Sequence, residues 1–389
     1  MNRRGFLRWG CAHCALLYAA AARAQGVPAP SGSEWTLPPR FAAPETGSDE
    51  GGLWAIMARE ESRLRRSPFL IRDDALQSYL QDILCRLAGP HCLDVRVYAV
   101  RNPYFNANMA PNGMMQIWSG LLLRMDNEAQ LAAVVAHEVG HFVQRHSLER
   151  LRDAKAKSAA GVFLAPFGLV GLVGQLALIA SMFAYTRDQE READTISVQL
   201  MGTAGYDTSQ AAAVWANLLA EVTAGPNGDP SKSSVLFATH PASQERREVL
   251  ERLGKAAGER AQQPYRDRMA TFEPDFLEDE IKRGQYEETI AMLDRKLKDQ
   301  PQRGDYMYCR AEARRLRARD KDLELARTEL AAATALPDTP PQAHRSLGLL
   351  LRATQDKAGA AAAFSRYLEL APTAPDAGMI KVYISELQP

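Results

Sequence analysis

The stretch His137-Glu138-Val139-Gly140-His141 constrains this chain more than any other, because its chemistry works only on a helix. Leu131, Val134, Val135 and Val139 repeat at helical spacing around it, and neither Gly nor Pro interrupts the run from Asn127 before Gly140. Residues four apart lie one above the other on a helix. His137 and His141 therefore present two imidazoles to one point, as two corners of a tetrahedral zinc site require. Glu138 lies about 100° further round, near enough to reach a water on that metal without being a ligand. The set fits metal-assisted hydrolysis: zinc lowers the pKa of its water and polarises a carbonyl, and the carboxylate takes the proton and returns it to the leaving amine. A surface helix carrying two histidines by chance is the plain alternative, and the apolar surroundings argue against it.

A catalytic zinc is usually held by three protein ligands and keeps a water. Gln144 and Ser147 stand where a metzincin needs Gly and His, which excludes that variant. His146 would lie about 140° beyond His141 on a continuing helix and point away. A glutamate on a second helix remains, and Arg187 to Asp194 supplies it. Glu190 and Asp194 share a face there: Glu190 can ligate, and Asp194 can accept the spare ring N–H of a ligand histidine. Glu192 projects elsewhere. Taken alone, such an acidic helix reads as a solvated face; the upstream histidine pair gives it a role.

Ala-His-Glu-Val-Gly-His followed by Glu-x-Glu-Ala-Asp resembles the HtpX-type and prenyl-protease-type zinc peptidases. Among them the chain is similar to the periplasmic BepA-type branch, which joins the peptidase to a C-terminal tetratricopeptide domain. The resemblance implies a mainly α (α+β) fold: a zincin-type metallopeptidase domain with a small sheet, then an α-solenoid. It implies one zinc ion per chain, held by His137, His141 and Glu190, with Glu138 as general base. It also implies that Met114, Met115, Gln116, Ile117 and Trp118, which follow Asn106 to Gly113, form an edge strand pairing with the substrate backbone. Read from the residues, that run is equally a core strand. Thr239-His240-Pro241 is similar to a family loop that carries a histidine over the zinc. His240 would either displace the water and hold the enzyme latent or donate to the oxyanion, and both roles stay open. The implied substrates are misfolded or stalled outer-membrane proteins, with docking to their assembly machinery and chaperone activity as further implications.

Around this centre the chain divides into four parts. Residues 1–24 read as a twin-arginine-like signal: Arg3-Arg4 before Phe6-Leu7, an apolar run from Cys11 to Ala22, and Ala22-Arg23-Ala24 at the cleavage point. A general secretory signal is the alternative; either places the mature protein in the periplasm. Residues 25–52 are rich in Pro, Gly and Ser and read as a linker or strap. The metallopeptidase domain spans 53–265, with helices over Leu53 to Leu64 and Asp74 to Leu87 and a strand over Leu93 to Val100. Cys85 and Cys92 can close a short loop in an oxidising compartment, which leaves Cys309 as a buried thiol.

The apolar stretch 159–185 has the length of a membrane span. A single span would separate His137 and His141 from Glu190, yet all three must lie about 2 Å from one ion. Two spans need roughly 40 residues. The stretch is therefore a lid or hairpin in peripheral contact with the membrane, or a core helix. Residues 275–389 carry a repeat: Thr289, Ala326 and Ala360 fall at one position of successive helical hairpins, among Leu293, Leu330 and Phe364. That pattern reads as a short tetratricopeptide solenoid with a concave groove for protein segments. With 47 basic and 47 acidic residues the chain carries no nucleic-acid footprint. The rival reading is a non-proteolytic chaperone or adaptor in which His240 closes the metal site as a fourth ligand.

Overall fold

The computed structural model describes residues 35–157, 185–225, 240 and 244–387. The signal sequence and all but the last residue of the apolar stretch 159–185 lie outside the described residues. From Leu37 onward the chain forms one unit. Its first helix, α1 (Asp49–Leu64), starts four residues before the expected Leu53 because the Ser48 side chain accepts the Gly51 N–H as an N-cap. Helix α2 (Asp74–Ala88) is capped in the same way by Asp73. A 3₁₀ turn follows, tied back by the Cys85–Cys92 disulfide, and Cys309 is the buried free thiol.

Three strands come next: β1 (Arg96–Val100), β2 (Ala107–Met109) and β3 (Met114–Trp118), in the spatial order β1-β3-β2. β3 runs parallel to β1 and antiparallel to β2. The expected edge strand Met114, Met115, Gln116, Ile117 and Trp118 is therefore the central strand, with all five residues buried. The reason is β2, three residues long and too short to show alternation in the sequence. It folds back at Gly113 (φ 81°), where a side chain would strike the Asp94 carbonyl, and takes the edge position.

One face of the sheet packs on α1, where Met57 and Leu64 meet Val100, Met114 and Trp118. Glu61 ties the two layers together. It accepts from Arg96 Nε (2.6 Å), the Tyr98 hydroxyl (2.7 Å), Arg65 (3.0 Å) and Asn112 (3.3 Å). Burial alone would raise this carboxyl; Arg96, Tyr98 and Arg65 outweigh it and hold it at about 2 against an ordinary 4.5. The unfolded chain takes up this proton first as pH falls. The stabilisation is thus complete above about pH 4.5 and lost progressively towards pH 2. Glu61→Gln should cost about 1–2 kcal/mol at neutral pH, allowing for screening. The gap from wild type in urea midpoint should close below pH 3. A gap that does not change with pH would contradict the assignment.

Helix α3 (Ser119–Arg124) leads into α4 (Glu128–Val143), whose N-cap Asn127 accepts the Gln130 N–H. Every residue of α4 is buried. It is enclosed by α2, β2, α6 (Arg187–Thr203), α7 (Gln210–Ala224) and α9 (Gln262–Met269), while α5 (His146–Lys157) leaves its C-terminal end and α8 (Gln244–Leu253) packs on α6 and α7. None of the described helices is long and apolar enough to cross a membrane.

The C-terminal part is a row of helical hairpins: α10 (Glu273–Arg283) and α11 (Tyr286–Asp299), α12 (Gly304–Arg317) and α13 (Asp322–Ala333), α14 (Gln342–Ala353) and α15 (Lys357–Leu370), closed by α16 (Ala377–Leu387). Thr289, Ala326 and Ala360 sit at the fully buried contacts of α11, α13 and α15. A buried ionic cluster joins the hairpins to the first domain: Arg124 bonds Glu221 (2.8 Å) and Glu280 (2.8 Å). Arg295 reaches Glu221, Asp126 and the Arg124 carbonyl beside the start of α4. Removing one partner would strand a buried charge, so the two parts are held together firmly.

Candidate metal centre

α4 and α6 cross closely because the residues at their contact are small. A Cβ on Gly140 would lie 3.2 Å from the Ala193 Cα, and Ala193 is fully buried. The approach brings Glu190 against the two histidines of α4. His137 Nε2 lies 3.1 Å from His141 Nε2 and 3.5 Å from Glu190 Oε2, and His141 Nε2 lies 3.5 Å from Glu190 Oε1. His240 joins them, with Nδ1 3.3 Å from His137 Nε2 and 3.0 Å from Glu190 Oε1. One ligand atom from each of the four residues lies within 4.8 Å of all the others.

These spacings test whether the residues fit a metal. Four ligands at about 2.05 Å from one ion in tetrahedral geometry are about 3.3 Å apart; the five close approaches, made to one or other oxygen of Glu190, run from 3.0 to 3.5 Å, and a set of one atom per residue lies within 4.8 Å. Charge agrees. Glu138, Glu190, Asp194 and Arg246 are all buried; three carboxylates against one guanidinium leave 3 − 1 = 2 negative charges when the imidazoles are neutral, the complement of a divalent ion. Burial opposes the charged form of His137, but Asp194 and Glu190 lift it to about 9. Burial drives His141 well down. Burial also raises Glu138, against the pull of His240 and His137. Burial would raise Glu190 too, but the three histidines hold it far below the carboxylate range.

The expected residues meet at one point. His137, His141 and Glu190 converge, and Asp194 Oδ1 lies 3.0 Å from His137 Nδ1. Glu138 sits beside the cluster without joining it, 3.5 Å from His240 Nε2, and accepts the backbone N–H of Met109 in β2. Met114 to Trp118 are separated from this contact by β2, whose outer side pairs with no strand among the described residues. An apolar cleft lined by Phe105, Val134, Val214 and Trp215 opens beside His137 and Glu138.

His146 and Glu192 stay outside the donor set, as expected, but His146 does not simply point away: its Nδ1 is 2.8 Å from His141 Nδ1, and the Glu192 carboxylate lies 3.3 Å from His146 Nε2. Arg246 and Tyr185 also belong to the site, though neither carries a sequence signal of its place there. Arg246 grips Asp194 through two 2.8 Å bonds, touches Glu190 at 2.5 Å and lies over the Trp215 ring. Tyr185 stacks on His141 at 3.7 Å.

A His-Glu-x-x-His helix closed by a glutamate from a second helix, beside a small sheet, defines a zincin-type metallopeptidase domain. The sequence model of Peptidase family M48 matches residues 71–253, and the chain carries a domain of that family. It is similar to the mitochondrial metalloendopeptidase OMA1 of Schizosaccharomyces pombe, 34% identical over 46% of this chain and 53% of that protein. It is also similar to the beta-barrel assembly-enhancing protease of Escherichia coli K12, 28% identical over 60% of this chain and 50% of that protein. Human OMA1 is 27% identical over 48% of this chain and 39% of its own length. The chain spans about half the length of these two curated relatives, the fission-yeast OMA1 and the Escherichia coli protease.

Proposed function

We propose that this chain is a zinc-dependent endopeptidase of the periplasm that cleaves misfolded or stalled outer-membrane proteins. The observation that carries the reading is the convergence of His137, His141 and Glu190 at ligand spacing with Glu138 outside the donor set. Bound zinc would supply an acidified water and an electrophile for the scissile carbonyl. Glu138 is the residue placed to take a proton and give it to the leaving amine. The outer side of β2, which pairs with no strand among the described residues, is the surface for an extended substrate, which would pair along it as an added strand. Residues 53–265 form the peptidase unit in this reading, and residues 275–389 a tetratricopeptide domain that docks substrate or the outer-membrane assembly machinery and supports a chaperone role.

His240 discriminates between a ready and a latent enzyme. Its Nδ1 stands at the fourth corner of the ligand set, 3.0 Å from Glu190 and 3.3 Å from His137. A nitrogen there competes with water for the metal, which favours the latent role over oxyanion donation. Casein degradation by the mature chain should stop in chelator and return with zinc. His240→Ala should raise the basal rate several-fold. A fall in that rate would assign His240 to the oxyanion instead, and degradation indifferent to chelator would remove the metallopeptidase reading.

A further inference from the structure

We propose that His146 and Glu192 are positioning residues that set the tautomer and ring orientation of His141 for its metal; the inference rests on the metal-site reading above. His141 turns Nε2 to the ligand cluster and Nδ1 to His146. Both rings are buried, at 1% exposure each, so no solvent competes for these nitrogens. At 2.8 Å the two Nδ1 atoms share one proton. The far end of the chain decides which ring donates it. The Glu192 carboxylate only accepts, so a neutral His146 carries its proton on Nε2, facing Glu192 at 3.3 Å. Its Nδ1 is then a bare lone pair, and His141 must donate from its own Nδ1. That leaves His141 Nε2 unprotonated and aimed at the cluster, the form a metal binds.

His137 reaches the same state by a shorter route, from Nδ1 to Asp194, whose other contacts are to the buried Arg246. The His141 route is longer because the α6 carboxylate that reaches this ring, Glu190, meets its Nε2, and His141 Nδ1 meets His146 instead. A break in the helix builds it. α4 ends at Val143, Gln144 caps it, and Arg145 takes a left-handed conformation (φ 58°). The turn folds His146 back onto His141 rather than onward round the helix. Further contacts hold the assembly. Tyr185 lies almost parallel to the His141 ring (15°) with its hydroxyl 3.0 Å from Ser147 Oγ, and the Gln144 amide donates to Glu192.

The test is zinc affinity of the full chain, measured by competition with a chromophoric chelator, together with the visible spectrum of the cobalt-substituted protein. His146→Phe removes both nitrogens and should weaken zinc binding about 10- to 100-fold and shift the cobalt bands. His146→Asn restores an acceptor towards His141 and should recover most of that loss. Glu192→Leu changes a half-exposed side chain (47%), so it keeps the fold whatever becomes of the Phe variant. It should weaken binding about three- to tenfold. Zinc affinity within twofold of wild type in Glu192→Leu, with cobalt bands unmoved, would overturn the proposal. A wild-type chain that itself binds no zinc would instead strike at the metal site on which the proposal rests.

Discussion

Glu138→Gln is expected to bind zinc and melt as the wild type does, yet to degrade casein about 10²- to 10⁴-fold more slowly, the usual worth of a positioned general base. The amide has the shape of the acid, and Glu138 is not among the converging donors. The metal set is therefore untouched. The Met109 N–H that the carboxylate accepts can be accepted equally by the amide oxygen. What is lost is the ability to carry a proton in a site closed to water, where Glu138 is 1% exposed. Rate, zinc content and melting temperature measured on one preparation separate the outcomes. Full activity in this variant would favour the adaptor reading, in which the hairpins act and the metal only holds the fold.

Arg246→Met should be strongly destabilising. Arg246 is 4% exposed and its guanidinium faces two buried carboxylates, Asp194 and Glu190. Taking one partner from a buried ion pair typically costs about 3–5 kcal/mol. In a domain of this size that lowers the melting temperature by about 10 °C. Zinc should restore part of the loss, because the ion takes up the charge of Glu190, while Asp194 keeps only His137. Melting curves with zinc and with chelator measure both effects. An unchanged melting temperature in chelator would show that Arg246 does not balance the cluster.

The convergence of His137, His141 and Glu190 is legible in the sequence because it obeys local rules. His137 and His141 are one helical turn apart, Glu190 and Asp194 another, and small residues at Gly140 and Ala193 let the two helices touch. The hairpin repeat was legible for the same reason, as Thr289, Ala326 and Ala360 recur at matching places. What failed depended on features without a local signature. The stop after Val143 is made by a left-handed Arg145, with no Gly or Pro to announce it, so His146 was carried round a helix that does not continue. The contact of Glu192 with His146 has no local signature for the same reason. Arg246 lies in Gln-Glu-Arg-Arg-Glu, which reads as a solvated face; only the tertiary packing of α8 buries it. The residues of β3 leave edge and core equally open and the resemblance implies an edge; β2, the strand that takes the edge, is only three residues long and leaves no alternation in the sequence to show it.

Anomalous diffraction at the zinc edge, on crystals of the full chain, tests the central claim most directly. It should give one strong peak, about 2 Å from His137 Nε2, His141 Nε2 and the Glu190 carboxylate, with Glu138 outside bonding distance. A peak elsewhere, no peak in zinc-supplemented protein, or a Glu190 carboxylate turned away from the ion would contradict the account.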